Sequence, residues 1–378
     1  MWGILKLAYK LLVNDRAKFA ALLVGIMFAV FLMIQMTAMF AGVLNRSSST
    51  VTNIGATVWV MDPAVNTVAN SIGMPEYVLD TVRSIRGVRY AVPLFSGGGL
   101  VRMADGTYQP VSIVGLDDTT LFGRPEMLAG RIEDIYAENG FIVVKDAEYP
   151  KLNSPPVGAV FEINDNRGQV VGLATVPSGG LFGIPTLYTT YSRATQYIPT
   201  TRYTISFILV EPKSAADIPY IKAQVGALGY LGLTRDDFTA RVARFYMFQT
   251  GLGTTILLMT GISFLVGLSI SGQTFYTFIL ENLDKFGALK AIGAKGRELV
   301  LMILFQALLT ALTGYGLGAG LSAAAIVATR LRIPDYAARI TYGTLFFAFC
   351  MVLIIAVVSG YVGVRKVLRI EPFDIFRG

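Results

Sequence analysis

Four long apolar segments constrain this chain more than any other feature of its sequence. They cover residues 19–44, 252–278, 299–329 and 343–364. As helices, all four are long enough to cross a bilayer core of about 30 Å at about 1.5 Å per residue. The remaining residues are polar and mixed, although 53% of the whole chain is hydrophobic. The sequence therefore predicts a membrane protein with four transmembrane helices and one large extramembrane domain.

Basic residues lie beside the apolar segments and account for most of the net charge of +7. They precede the first segment, fill the short loop 281–298 between the second and third, and follow the fourth: Lys6, Lys10, Arg16, Lys18, Lys285, Lys290, Lys295, Arg297, Arg365, Lys366, Arg369 and Arg377. Because cytoplasmic loops are rich in Lys and Arg, both termini and this loop are expected in the cytoplasm. The basic balance reflects membrane topology, and no nucleic-acid partner is expected.

The residue types that usually build enzyme or metal sites are scarce. The chain has no histidine, which excludes His-dependent triads and the H-E-x-x-H zinc motif. Its single cysteine, Cys350, lies in the last apolar segment, so no intramolecular disulfide can form. No serine sits in a G-x-S-x-G motif, and the pairs Asp117-Asp118 and Glu133-Asp134 are interpreted as solvated surface. We expect no catalytic residue, metal site or cofactor in this chain.

Residues 1–18 are predicted to form an amphipathic helix on the inner membrane surface. Trp2 and Tyr9 would lie near the lipid headgroups, so membrane lipid is an expected partner. The next segment, 19–44, is interpreted as a retained anchor rather than a cleaved secretory signal. It is longer than the usual signal core, and no clear A-x-A site follows it.

Residues 45–239 are predicted to form one α+β domain on the outer side of the membrane. Residues 45–50 have the composition of an exit loop. The dipeptide Asp105-Gly106 predicts a β-hairpin. Apolar spacing predicts strands at 57–61, 88–94, 99–103, 108–114, 141–144, 160–163, 169–176 and 203–210, and helices at 75–85 and 215–228.

Residues 240–278 are predicted to form a stalk and the second span as one continuous helix, which would connect the domain mechanically to the membrane. Small residues recur along this span and the third one, at positions that let helices approach closely: Ser263, Gly267, Ser271, Gly314, Gly316, Gly318 and Gly320. Packing within the chain is the favoured interpretation, and a homodimer contact stays open.

The loop at 279–298 contains a predicted short helix at 286–294. Phe286, Leu289 and Ile292 follow helical spacing, and Gly293 and Gly296 are stop signals. A short outer loop, 330–342, and a cytoplasmic tail, 365–378, complete the layout. The spans contain almost no ionisable residue, which argues against a secondary transporter, a proton-coupled pump or a channel.

This layout and two motifs resemble the FtsX/MacB-type permeases of ABC transporters, also called type VII. The segment 286–294, FGALKAIGA, is similar to the coupling-helix signature of that family, and 371–377, EPFDIFR, is similar to its closing motif. The basic lead-in to the first span, 88–94 (VRYAVPL) and 111–115 (VSIVG) are most similar to DevC-like permeases. The resemblance implies an α-helical membrane protein with four transmembrane helices and a MacB-like periplasmic core domain between the first two.

The resemblance also implies an ATPase partner. The expected contact residues on the coupling helix are Phe286, Gly287, Leu289, Lys290, Ile292, Gly293 and Ala294. In this interpretation Phe286, Leu289 and Ile292 form the apolar contact, and Lys290 and Lys295 pair with acidic groups of the partner. ATP and Mg²⁺ would bind a separate cytoplasmic ABC ATPase, because this sequence lacks G-x-x-x-x-G-K-[ST].

The DevC-like features imply a bacterial inner-membrane permease that exports a lipid or other amphiphile. Its expected partners are a second copy of the permease, a HlyD-type periplasmic adaptor and a TolC-like outer-membrane channel. One alternative is FtsX-like mechanotransmission, in which the outer domain regulates a periplasmic cell-wall enzyme without transport. A second alternative is a membrane-anchored sensor or adhesion module that has no ATPase.

Overall fold

The structure is a computed structural model that describes residues 2–177, 183–198, 203–333 and 336–368. Within them the helices are α1 (Trp2–Asn14), α2 (Arg16–Ser47), α3 (Ser49–Ile54), α4 (Glu76–Ser84), α5 (Tyr191–Tyr197), α6 (Ile218–Ala227), α7 (Arg235–Phe248), α8 (Leu252–Glu281), α9 (Leu283–Ala291), α10 (Gly296–Arg332) and α11 (Tyr342–Leu368). The strands are β1 (Val58–Met61), β2 (Val88–Arg102), β3 (Tyr108–Leu116), β4 (Glu126–Ala129), β5 (Gly140–Val144), β6 (Val160–Ile163), β7 (Asn166–Thr175), β8 (Thr186–Thr190), β9 (Phe207–Pro212) and β10 (Leu231–Thr234). The closing motif 371–377 and Pro334 lie outside the described residues.

The described residues divide into two compact units. A helical unit contains residues 2–42, 253–332 and 338–368, and a sheet unit contains 43–252 and 333–337. Four helices, α2, α8, α10 and α11, are long and apolar enough to cross a membrane. They contain the four apolar segments of the sequence, so the predicted class, a four-span membrane protein with an inserted α+β domain, is confirmed.

The predicted exit loop after the first span is wrong. Helix α2 continues to Ser47, α3 follows at once, and Ser47 to Thr50 are all buried. The hydroxyl of Ser48 bonds back to the helix and donates to the Leu44 carbonyl at 3.0 Å. Val51 and Ile54 then enter the core of the sheet unit. Polar composition therefore concealed a helical extension of the first span.

The predicted continuous helix over 240–278 is also wrong. Helix α7 ends at Phe248 and α8 begins at Leu252, with Gly251 at φ +75° between them. The Thr250 hydroxyl donates to the Tyr246 carbonyl at 2.9 Å at the end of α7. At its other end α7 begins earlier than expected, with a capping box between Thr234 and Asp237. The connection between the domain and the second span thus contains a backbone turn.

The sheet unit is built on a mixed ten-stranded sheet in the order β10-β1-β9-β2-β3-β8-β5-β7-β4, with β6 paired to β2 and β7. Its long strand β2 contains the predicted strands 88–94 and 99–103, which the structure joins into one. The first part of β2 pairs with β9 and the second part with β3, so β2 links the two halves of the sheet. The predicted hairpin is confirmed, with Gly106 at φ +83° between the paired Arg102 and Tyr108.

Buried apolar side chains cover both faces of this sheet. Trp59 is fully buried and contacts Phe207 and Phe238 with ring centroids 5.4 and 5.5 Å away. On another face, α6 contributes Ile221 and Val225 to the core, and Ile218 packs against the same cluster. Strands β4, β8 and β10 were not predicted, because they are short and lack a clear alternating pattern.

Candidate coupling surface

Helix α9 is held at its start by a buried asparagine. The side chain of Asn282 is 4% exposed, and its amide donates to the Phe278 carbonyl at 2.8 Å. Lys285 Nζ donates to Asn282 Oδ1 at 2.7 Å. The backbone N–H of Phe286 donates to the Asn282 carbonyl at 3.1 Å. The end of α8 and the first turn of α9 are therefore fixed to each other.

Phe286 is the apolar anchor of α9. It is 0% exposed and lies in an apolar cluster to which all six helices of the helical unit contribute. We call this the six-helix cluster: Ala8, Leu12, Leu22, Phe275, Phe278, Ile279, Phe286, Leu299, Met302, Ile303, Ala307 and Val367. Gln306 also donates from α10 to the Ala8 carbonyl of α1 at 2.8 Å. A displacement of α9 would therefore act on every helix of this unit.

The three residues predicted as one apolar contact have different environments. Phe286 is buried, Leu289 is half-buried against the six-helix cluster, and Ile292 is 85% exposed. At about 100° per residue, Ile292 lies about 240° around the helix from Phe286, so a spacing of three residues drifts off one face. The placement of Phe286 on the partner-facing side is corrected, because this chain's own helices cover it.

The end of α9 explains the remaining small residues of the signature. Gly293 adopts φ +108°, its N–H donates to the Lys290 carbonyl, and the Ala294 N–H donates to the Leu289 carbonyl at 2.9 Å. This is a Schellman motif, which needs a residue with positive φ at the position of Gly293. Ala294 and Leu289 both pack against the six-helix cluster. Gly287 is buried beside Phe286.

The exposed face of this loop lies opposite Phe286. It presents Ala288 and Ala291. Ile292, Lys295 and Arg297, which follow the helix, are also exposed, and we call these five residues the coupling surface. Lys290, predicted to face a partner, is half-buried. Ala288 and Ala291 were not predicted, although their positions opposite the buried Phe286 on a helical wheel could have identified them.

Two ion pairs fix the ends of helices near this loop. Lys18 pairs with Glu281 at the end of α8 and with Asp15, whose carboxylate is 2.7 Å from the lysine Nζ. The hydrogen bond from Lys18 holds the pKa of the Asp15 carboxyl below its ordinary value. The pair with Glu281 connects the first span to the segment from which α9 begins, whereas the pair with Asp15 lies at the start of that span.

The small residues of the spans divide into two sets. A Cβ atom at Gly314 would lie 2.7 Å from Ile26 Cγ2, and one at Gly318 would lie 2.7 Å from the Met27 carbonyl oxygen, so these two glycines pack against α2. Ser263, Gly267 and Ser271 are also buried, with Gly267 against Ala29. A Cβ atom at Gly316 or Gly320 would meet no atom of the described chain within 4 Å.

Two family models match the sequence. Residues 19–228 match the MacB-like periplasmic core domain, and residues 257–372 match the FtsX-like permease C-terminal. A macrolide export ATP-binding/permease protein MacB from Campylobacter fetus is 22% identical over 76% of this chain and 46% of its own length. Its counterpart from Psychrobacter cryohalolentis is 26% identical over 58% of this chain and 34% of its own length. The chain thus spans about a third to a half of these relatives.

Solved structures of two extramembrane domains are similar to the sheet unit at low identity. The extracellular domain of the noncanonic ABC-type transporter YknZ is 15% identical with a TM-score of 0.36, covering 47% of this chain and 99% of that one. The periplasmic region of MacB from Actinobacillus actinomycetemcomitans is 16% identical with a TM-score of 0.36, covering 51% of this chain and 95% of that one.

Proposed function

Because the chain belongs to the FtsX/MacB family of ABC-transporter permeases, we propose that it couples ATP hydrolysis in a partner ATPase to movement of its sheet unit. The observation that carries this proposal is the two-sided character of α9. One side inserts Phe286 into the six-helix cluster, and the other side presents Ile292 to solvent. Such a helix can bind an ATPase on its exposed side and transmit a displacement through its buried side to the helices of the six-helix cluster.

The ATPase contact is proposed for the coupling surface. Ala288, Ala291 and Ile292 offer a small apolar patch, and Lys295 and Arg297 would pair with acidic side chains of the partner. Leu289 and Ala294 pack against the six-helix cluster, and Gly293 ends the helix, so these three residues hold the loop in place. ATP and Mg²⁺ would bind the partner, so this chain is a non-catalytic subunit. With α9 in the cytoplasm, both termini are cytoplasmic and the sheet unit is periplasmic, in a bacterial inner membrane.

The proposed cargo is a lipid or another amphiphile. Two observations support export: the two relatives described above are named for macrolide export, and the spans contain almost none of the ionisable residues that line ion and proton paths. A homodimer of this permease, a HlyD-type adaptor and a TolC-like channel would complete the DevC-like assembly. In this scheme the sheet unit moves, and the cargo does not pass between the spans.

The test is co-purification, in mild detergent, of the chain with the ABC ATPase encoded beside its gene. We expect wild type to retain the ATPase and Ile292→Asp to lose it, because a carboxylate on the coupling surface would face the apolar centre of the contact. Leu128→Asp is the matched control, since Leu128 is exposed on β4 of the sheet unit. ATP turnover is followed on the same samples.

The outcomes separate the proposals. Retention of the ATPase by Ile292→Asp would reject the coupling surface, and failure of wild type to retain it would reject the ATPase partnership. If wild type holds the ATPase, cross-linking of the assembly in intact cells identifies the periplasmic partner. An adaptor supports export, whereas a cell-wall hydrolase supports the FtsX-like alternative.

A further inference from the structure

A cleft of about 710 Å³ opens within the sheet unit. Its walls come from the segment after β1, the start of α4, the middle of β2 and the residues just before β9 and β10. Three tyrosines, Tyr77, Tyr203 and Tyr230, line it together with one carboxylate, Asp62. The size is that of a pocket for a small organic molecule.

The floor of the cleft is a fixed set of serines. Ser71 Oγ donates to the Ser96 carbonyl at 3.0 Å, and the Ser96 N–H donates to Ser206 Oγ at 3.0 Å. Ser71 Oγ and Ser206 Oγ are 3.2 Å apart. These serine groups hydrogen-bond to one another. The floor is therefore polar, but its hydrogen-bonding groups are already paired within the protein. Recognition therefore depends on the walls.

The walls present aromatic surface to solvent. Tyr77 is 66% exposed and Tyr203 is 45% exposed, and Tyr230 is half-buried beside them. Met74 N–H donates to the Ile205 carbonyl at 2.8 Å, which holds the rim before α4 against the segment of Tyr203. Burial is the main cause that raises the pKa of Tyr230, followed by its hydrogen bond with Tyr77 and the charge of Asp62. The hydroxyl of Tyr230 therefore stays neutral at physiological pH.

The described lining of the cleft carries one negative formal charge. Among the described residues that line the cleft, Asp62 is the only one that carries a formal charge. Its Oδ1 accepts a hydrogen bond from the Ala64 N–H at 2.8 Å, which orients the carboxylate. The faces of tyrosine rings also carry negative potential. Aromatic faces beside a carboxylate attract cations, above all organic ammonium groups that are weakly hydrated.

We propose that this cleft binds an organic ammonium group, such as the trimethylammonium of choline, against Tyr77, Tyr203, Tyr230 and Asp62. A free solute and a lipid headgroup can both carry this group. The inference goes beyond the ATPase coupling proposed above. Binding at equilibrium needs neither nucleotide nor an ATPase, so the two proposals succeed or fail separately.

The experiment is isothermal titration of the full chain, in a maltoside detergent, with choline chloride. The matched ligand is 3,3-dimethylbutan-1-ol, which replaces the charged nitrogen of choline by carbon. We expect choline to bind at least about threefold more tightly than this neutral analogue, as one cation–π contact provides. Equal affinity for both ligands, or no binding of choline, overturns the proposal.

Variants locate the site. Asp62→Asn keeps an oxygen for the Ala64 N–H and removes the charge, and we expect it to weaken choline about threefold to tenfold with little effect on the neutral analogue. Tyr203→Leu should weaken choline by a similar factor. Tyr108→Leu is the control, because Tyr108, at the β2–β3 hairpin, is 57% exposed and Tyr203 is 45% exposed. Unchanged choline affinity in both cleft variants, or the same loss in the control, contradicts the assignment.

A short-chain phosphatidylcholine, added below its micelle concentration, distinguishes the two sources. Tighter binding than choline identifies a lipid headgroup as the ligand, and weaker binding identifies a free solute. Either result supports the ammonium site, provided that Asp62→Asn lowers the affinity for phosphatidylcholine. Phosphatidylcholine binding that Asp62→Asn leaves unchanged would assign the contact to the acyl chains and reject the site.

Discussion

Phe286 and Ile292 belong to the same short loop segment, and their exposures are opposite. Phe286 has no exposed surface, whereas most of Ile292 faces solvent. The buried ring belongs to the six-helix cluster, so its energetic role is cohesion of the helical unit. The exposed isoleucine contributes little to folding and is free to contribute to binding. The two residues therefore separate the stability of the loop from its proposed contact.

The first prediction concerns this separation. Phe286→Ala should lower the stability of the helical unit by about 3–5 kcal/mol, because truncation leaves a cavity in the six-helix cluster. Ile292→Ala should change stability by less than about 0.5 kcal/mol. Stability is measured by the reaction of Cys350 with a thiol-reactive dye as the temperature rises. Cys350 is the single cysteine of the chain and lies in α11, so it reports on the helical unit. Equal midpoints for the two variants would show that Phe286 does not anchor the loop.

A second prediction at the residue scale concerns Glu148, which is fully buried in the sheet unit. Its carboxylate pairs with Arg46, at the end of α2, at 3.1 Å and with Lys151 at 2.5 Å. Removing one partner of a buried ion pair costs about 3–5 kcal/mol, so Glu148→Gln should unfold the sheet unit at clearly lower temperature. Trp59 fluorescence, measured in a Trp2→Phe background, follows this unit.

The control for that variant is Glu162→Gln. Glu162 pairs with Arg102 at 3.5 Å on the surface, where such pairs contribute about 0–1 kcal/mol. Similar shifts for the buried and the exposed glutamate would contradict the role assigned to Glu148.

At the scale of helices, the third span has one glycine pair that packs against α2, and a second pair, Gly316 and Gly320, that meets no atom of the described residues. Gly318→Ala should destabilise the helical unit by about 1–3 kcal/mol, because its Cβ would collide with Val30 and the Met27 carbonyl of α2. Gly320→Ala should be neutral or stabilising by about 0.5–1 kcal/mol, as expected for a helical glycine in open space. The thiol-exposure assay measures both.

Gly318→Ala and Gly320→Ala also test the proposed homodimer. A lower dimer fraction for Gly320→Ala, with unchanged stability, would place Gly320 in the contact between copies. Equal destabilisation by both variants would show that the two glycine faces are not distinct.

Local sequence pattern predicts the long, uniform or strongly periodic elements of this chain. It does not predict features that depend on contacts with distant segments. The four spans, the Asp105-Gly106 hairpin and the presence of a short loop helix follow from local pattern, although α9 covers Leu283–Ala291 and not the predicted 286–294. The burial of Phe286 does not, because the six-helix cluster is assembled from distant parts of the chain. Similarly, Ser47 to Thr50 look like a loop until the sheet unit covers them, and Thr250-Gly251 breaks a helix that hydropathy alone continues. Local pattern predicts which face of a helix is apolar, but it does not predict which element packs against that face.

For the whole molecule, coupling to an ATPase requires that a signal at α9 reach the sheet unit. The six-helix cluster connects α9 to α2 and α8, and these helices continue toward the segments that enter the sheet unit. The backbone turn at Gly251 makes the α8 connection less direct than one straight helix would be. The extension of α2 through Ser47 into α3 is the more continuous connection, and Glu148 pairs with Arg46 at its end.

The most direct test is a distance measurement by double electron–electron resonance on the ATPase complex. A nitroxide label on Leu128→Cys, in a Cys350→Ser background, reports the separation of sheet units in two copies, and Leu128 is exposed on β4. The account predicts that a non-hydrolysable ATP analogue shifts this distance in wild type and leaves it unchanged in Ile292→Asp. An unchanged distance in wild type with the ATPase and nucleotide bound would contradict the coupling of α9 to the sheet unit.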